Sequence, residues 1–224
     1  MHPFYKDFLE HLQQADKEWC VDRVMHILST GGIDIATLYN DILTPALNGV
    51  ELGPIDEGLS IWKEHERTAI VRTVIENCYP FVVKERRKKF GSSVGEKVVL
   101  FCPTEELHEM GARIVADFFT LCGFEVTFIG ANTPLGDILI GIESVKPRYV
   151  ALSVTNHYNL VAAGKAIERI VKLRKDAGID FKIIVGGRAF ERNKDLAHQM
   201  GVDMHLSSLE DISKLAGGRS DAGT

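Results

Sequence analysis

From His2 to about Phe90 the apolar side chains recur three and four residues apart, the spacing of one buried face of an α-helix. Phe8, Leu9 and Leu12 fall on a first helix, and Val21, Val24, Met25, Ile27 and Leu28 on a second. Gly31-Gly32 closes that second helix and Asp34 is placed to cap a third, with Ile35, Leu38, Tyr39, Ile42, Leu43 and Leu47 as its inward stripe. Gly49, Gly53, Pro54 and Gly58 predict a loop. A fourth helix then runs from about Ser60 to Pro80, with 81–89 as a further turn or short helix. Residues 1–92 are therefore expected to form a helical bundle.

After Gly91-Ser92-Ser93 the period changes to short apolar runs alternating with helical patterns. Lys97–Cys102, Glu125–Ile129, Arg148–Val154 and Phe181–Val185 read as strands, with Asp203–Leu206 as a weaker fifth. Between them Glu109–Leu121, Leu135–Val145, Leu160–Ala177 and Glu191–Met200 read as helices. Such alternation predicts a doubly wound five-stranded parallel sheet of flavodoxin-like type over residues 93–224, giving an α + α/β chain of two domains. Ligands of such sheets bind beyond the carboxyl ends of the strands, where strand order reverses. The polar tail from Ala216 to Thr224 is expected to be disordered.

The charge balance, 26 Lys and Arg against 31 Asp and Glu for a net charge of −5, removes the broad basic surface that sequence-independent nucleic-acid binding requires. No uncharged run approaches a membrane span, and the first ten residues lack the apolar core of a secretory signal. Four scattered cysteines, none in a CxxC pair, argue against a thiolate zinc site and fit the reducing cytoplasm. The sheet region has neither GxGxxG after its first strand nor a GxxxxGK[ST] loop.

The chemistry gathers at the expected strand ends. The first loop reads Glu106-Leu107-His108-Glu109-Met110-Gly111, the third Ser153-Val154-Thr155, and the fourth contains Gly186-Gly187. In this order the three resemble the DxHxxG…SxL/SxT…GG signature of the cobalamin-binding domains, with Glu106 standing where aspartate is commoner. The resemblance covers about residues 95–215, and the helical half resembles the bundle that precedes this domain in the family. It implies His108 as the lower cobalt ligand of a bound cobalamin (adenosyl-, methyl- or hydroxocobalamin). Glu106, or in competition Glu105, would hold the imidazole. Ser153 and Thr155 would offer hydroxyls to the displaced benzimidazole tail, and Gly111, Gly186 and Gly187 would let backbone approach it without a Cβ. His157 is either a polar loop residue or one that reaches the tail or the corrin edge.

In the regulator branch of this family a Trp-x-x-Gly run and a Glu-His pair face the upper side of the corrin. Glu64-His65 matches the pair and Gly58 the glycine, but Ile55 stands where the tryptophan would be. Trp62, three residues before His65 on the same helical face, is either its substitute or core. These features imply first a B12-dependent sensor or photoreceptor-type regulatory module signalling through a separate regulatory protein or homo-oligomerisation. The alternative is a corrinoid protein carrying a methyl group between methyltransferases. A nucleotide binder on the same fold, without corrinoid, is the third reading.

Overall fold

A computed structural model of the chain describes residues 2–48, 59–91, 95–191 and 194–217. It divides into two compact units, Met1–Glu85 and Arg86–Thr224.

The helical unit comprises α1 (Pro3–Gln13), α2 (Lys17–Ser29), α3 (Ile35–Leu38), a π-helical turn (Tyr39–Leu43), α4 (Thr44–Asn48) and most of α5 (Ser60–Phe90). Asp16 and Asp34 cap α2 and α3, accepting the Trp19 N–H at 3.1 Å and the Thr37 N–H at 2.7 Å. Phe8, Leu12, Val24, Ile35, Leu38, Tyr39, Ile42 and Leu43 form its core. The expected loop at 49–58, with Ile55 and Gly58, lies outside the described residues.

Proline at position 80 does not end the last helix, which runs unbroken from Ser60 to Phe90. Pro80 is exposed, while Ile70, Val71, Val74, Ile75, Cys78 and Val82 continue one buried face across it. Packing thus overrides a local penalty of about 3 kcal/mol. Pro80→Ala is expected to stabilise the chain by about 1–2 kcal/mol, part of the restored hydrogen bond being offset by a freer unfolded chain. A higher urea midpoint at unchanged slope would report it.

The second unit contains β1 (Lys97–Phe101), α6 (Met110–Leu121), β2 (Glu125–Gly130), α7 (Leu135–Val145), β3 (Tyr149–Ser153), α8 (Leu160–Asp176), β4 (Lys182–Gly186), α9 (Arg188–Glu191), α10 (Lys194–Gln199), β5 (Met204–His205) and α11 (Leu209–Gly217). The strands form one all-parallel sheet in the order β2-β1-β3-β4-β5. Alternate residues on β1 serve opposite faces: Val99 and Phe101 join Ile138, Ile142, Ala163 and Ile167 of α7 and α8, while Val98 and Leu100 are buried on the other side. The helix read over 191–200 corresponds to α10, with α9 preceding it, and 192–193 lie outside the described residues. The final helix, α11, had no counterpart in the sequence reading; it packs near α6, with Cys122 Sγ 3.4 Å from Ser213 Oγ. It includes Ala216 and Gly217 of the expected disordered tail, and 218–224 lie outside the described residues. No described helix is long and apolar enough to cross a membrane.

Strand order reverses between β1 and β3, whose connections leave in opposite directions. The loops after these two strands therefore flank the crevice where a doubly wound sheet receives its ligand.

Candidate cofactor-binding site

Glu106 occupies the centre of that crevice with no exposed surface. Its Oε1 accepts the backbone N–H of His108 at 2.9 Å and lies 2.7 Å from the His108 Nδ1. Its Oε2 accepts the N–H groups of Thr155 at 3.0 Å and Asn156 at 2.8 Å, just past β3. Burial pushes the Glu106 carboxyl up, but the hydrogen bonds from Asn156, His108 and Asn159 outweigh it and hold the group below its ordinary value of 4.5. The carboxylate is thus ionised at neutral pH and can only accept.

This fixes the histidine. Facing an ionised oxygen, Nδ1 must carry the ring proton, which leaves the Nε2 lone pair free. The His108 side chain is half exposed, and among the described residues nothing bonds to Nε2. A neutral imidazole whose other nitrogen donates to a carboxylate is a strengthened metal ligand. Cys102 offers no competing thiolate, because burial and the nearby Glu106 and Glu109 charges push its thiol up to about 12.

Of the two candidate carboxylates, then, Glu106 holds the imidazole. Glu105, with φ +78°, instead lines a cavity of about 210 Å³ with Phe101, Leu135, Tyr158 and Lys165, and its carbonyl accepts from Asn159 Nδ2 at 3.3 Å. Thr155 is brought to the ligand loop: besides its N–H on Glu106, its hydroxyl lies 3.4 Å from the His108 carbonyl. Ser153, at the end of β3, is 8% exposed, and its hydroxyl has no partner among the described residues. A Cβ added to Gly111 would meet nothing within 4 Å, so there is room beside the first turn of α6. His157 packs its ring edge-on to Tyr158, 6.2 Å away.

Gly186 and Gly187 lie hard against the protein's own backbone. A Cβ at Gly187 would lie 2.4 Å from the Val154 carbonyl oxygen, and one at Gly186 2.8 Å from that of Leu206. Gly187 also holds φ +93°, a conformation that favours glycine. Close packing of the protein's own backbone, where β3, β4 and the segment after β5 converge, is thus by itself a reason for glycine at both positions.

In the helical unit, Trp62, Glu64 and His65 lie in the first turns of α5 and all three are exposed; at 70% exposure Trp62 is not core.

A cobalt corrinoid fits what the sheet unit offers: one bare imidazole nitrogen, an unpartnered hydroxyl at a strand end, and an open helix start. Among the described residues no group of three or more His, Cys, Asp or Glu side chains could hold a bare metal ion, whereas a macrocycle brings its own equatorial ligands and asks the protein for one nitrogen. The sequence reading missed the Thr155 and Asn156 N–H groups and the bond from Ala131 to Glu109, which are backbone donors that no residue type announces.

Residues 96–208 match the B12 binding domain. The trimethylamine corrinoid protein 1 of Methanosarcina acetivorans is 29% identical over 185 residues, 81% of either chain. The HTH-type transcriptional repressor CarA of Myxococcus xanthus is 24% identical over 181 residues, which are 80% of this chain but 56% of that one. Among solved structures, the monomethylamine corrinoid protein of Methanosarcina barkeri superposes with a TM-score of 0.72 at 13% identity, covering 94% of this chain and 95% of that one, a likeness of fold. With more than half of its length matched to the domain, the chain belongs to the B12-binding domain family, and its cofactor is cobalamin.

Proposed function

We propose that this chain is a corrinoid protein that carries a methyl group between methyltransferases, rather than the B12-dependent sensor that the sequence first suggests. The observation that carries this reading is the match to a trimethylamine corrinoid protein over 81% of both chains, whereas the regulator is matched over only 56% of its length.

Cobalamin supplies a cobalt that can accept a methyl group from one enzyme and yield it to another. The chain's part would be to hold that cobalt through His108 Nε2, with Glu106 orienting the ring. Ser153, Gly111 and the Gly186-Gly187 backbone would line the approach of the cofactor's tail. Ionised Glu106, 2.7 Å from Nδ1, strengthens the neutral imidazole as a donor. In a carrier the exposed His65 would have no ligand role, whereas the sensor reading would make it a further cobalt ligand after loss of the alkyl group.

The test uses the full chain loaded with methylcobalamin or hydroxocobalamin. In His108→Ala the nitrogen splitting in the electron paramagnetic resonance of the Co(II) form should disappear, and a persisting protein nitrogen would remove His108 from the site. Illumination should give the same spectrum in the parent and in His65→Ala, and the parent should reduce readily to Co(I). A post-illumination spectrum that depends on His65, with resistance to reduction, would restore the sensor reading.

A further inference from the structure

We propose that Glu109 is a second positioning residue for His108, fastening the backbone of the ligand loop to the end of β2 while Glu106 fixes the ring; this rests on the reading of His108 as the cobalt ligand. Glu109 stands immediately before α6, yet its side chain makes no capping bond to that helix. Its Oε2 reaches across and accepts the Ala131 N–H at 2.8 Å, one residue beyond β2. The approach is close. A Cβ on Gly130 would come within 2.6 Å of the same Oε2, and Gly130 holds φ +80°.

The sheet order explains what this bond does. β2 and β3 lie on either side of β1, and the loop leaving β1 carries His108 between two carboxylates. Glu106 binds the loop after β3 through Thr155 and Asn156, and Glu109 binds the loop after β2 through Ala131. The ligand loop is thus stretched across the end of β1 and tied at both neighbours. Within it the Glu109 N–H donates to the Leu107 carbonyl at 3.0 Å, a tight turn that leaves little slack around His108. Untying one side frees the loop backbone to shift, and a donor displaced by about 1 Å is a poorer ligand even when its ring is still held.

Two readouts separate this role from a purely structural one. The first is hydrogen exchange of the Ala131 amide in the full chain without cofactor. Glu109→Ala should speed it on the order of tenfold, and Glu109→Gln, which keeps an acceptor oxygen, should restore most of the protection. The second is the cobalamin-loaded chain at neutral pH. Glu109→Ala should show a mixture of nitrogen-ligated and unligated cobalt in the Co(II) resonance and the visible spectrum, and Glu109→Gln should return to the parent. Gly130→Ala, whose Cβ displaces the carboxylate from the opposite side, should reproduce the mixture with Glu109 intact. Unchanged Ala131 exchange in Glu109→Ala overturns the proposal, as does faster exchange with a parent-like cobalt spectrum. If His108→Ala keeps its nitrogen signal the ligand reading itself has failed, and the exchange data still report whether the tie exists.

Discussion

Glu106→Ala is expected to destabilise the sheet unit by about 3–5 kcal/mol and to strip most of the bound cobalamin of its protein ligand. The carboxylate accepts three backbone N–H groups, from His108, Thr155 and Asn156, in addition to the His108 ring. Each donor left without a partner costs about 1–3 kcal/mol, lowered where water can enter the vacated space. Glu106→Gln keeps the volume but turns one oxygen into an amino group. Either His108, with its N–H and ring N–H, or the Thr155 and Asn156 pair then faces a donor, and a loss of about 2–3 kcal/mol is expected. Glu106→Asp is one methylene shorter and reaches one side of the crevice but not both, so it should fall between parent and Ala. Urea melts of the cofactor-free chain measure the first effect. The Co(II) resonance measures the second, since without an acceptor at Nδ1 the imidazole is free to present either nitrogen. Parent-like stability in Glu106→Ala would mean that the loop after β3 does not depend on the carboxylate.

How far this site could be read from the chain follows from which atoms build it. His108, Glu106, Ser153 and Gly111 announce themselves, because imidazole, carboxylate, hydroxyl and a missing Cβ are properties of residue types at strand ends. The strands themselves were legible because a parallel sheet covered on both faces needs continuous apolar runs, as in Val98–Phe101 and Val150–Leu152. What was not legible depends on the fold. Backbone N–H groups of Thr155, Asn156 and Ala131 are common to every residue, so their convergence on Glu106 and Glu109 exists only once the strand order is known. Pro80 reads as a helix stop because its local cost is visible and its exposure is not. The exposure of Trp62 was equally undecidable, since helical spacing gives a face but not what covers it. At Gly186-Gly187 the need for glycine was legible but a second cause, the approach of the protein's own backbone, was not, because a close approach looks the same in sequence whether the approaching atom is ligand or backbone.

That distinction gives Gly187→Val its expected outcome: loss of stability by about 3 kcal/mol or more, with binding lost as a consequence. If the glycine served only to keep a ligand channel open, alanine would be mild, valine severe, and the cofactor-free protein indifferent to both. The geometry predicts otherwise. The first added atom already lies 2.4 Å from the Val154 oxygen and 2.9 Å from its nitrogen, closer than real contacts allow. A φ of +93° strains any side chain, and a β-branched one most. Relief requires β3 and β4 to part where Val154 N–H donates to the Gly186 carbonyl at 3.0 Å and Ala189 N–H to the Val154 carbonyl at 3.1 Å. Alanine should therefore cost nearly as much as valine in urea melts without cofactor, and a mild alanine variant would restore the channel explanation. Gly111 supplies the contrast, since a Cβ there meets only open space inside a regular helix. Gly111→Ala should leave the cofactor-free chain as stable or about 0.5–1 kcal/mol more so, yet weaken cobalamin binding by occupying the room beside α6. Unchanged affinity in Gly111→Ala would place the cofactor's tail away from that helix.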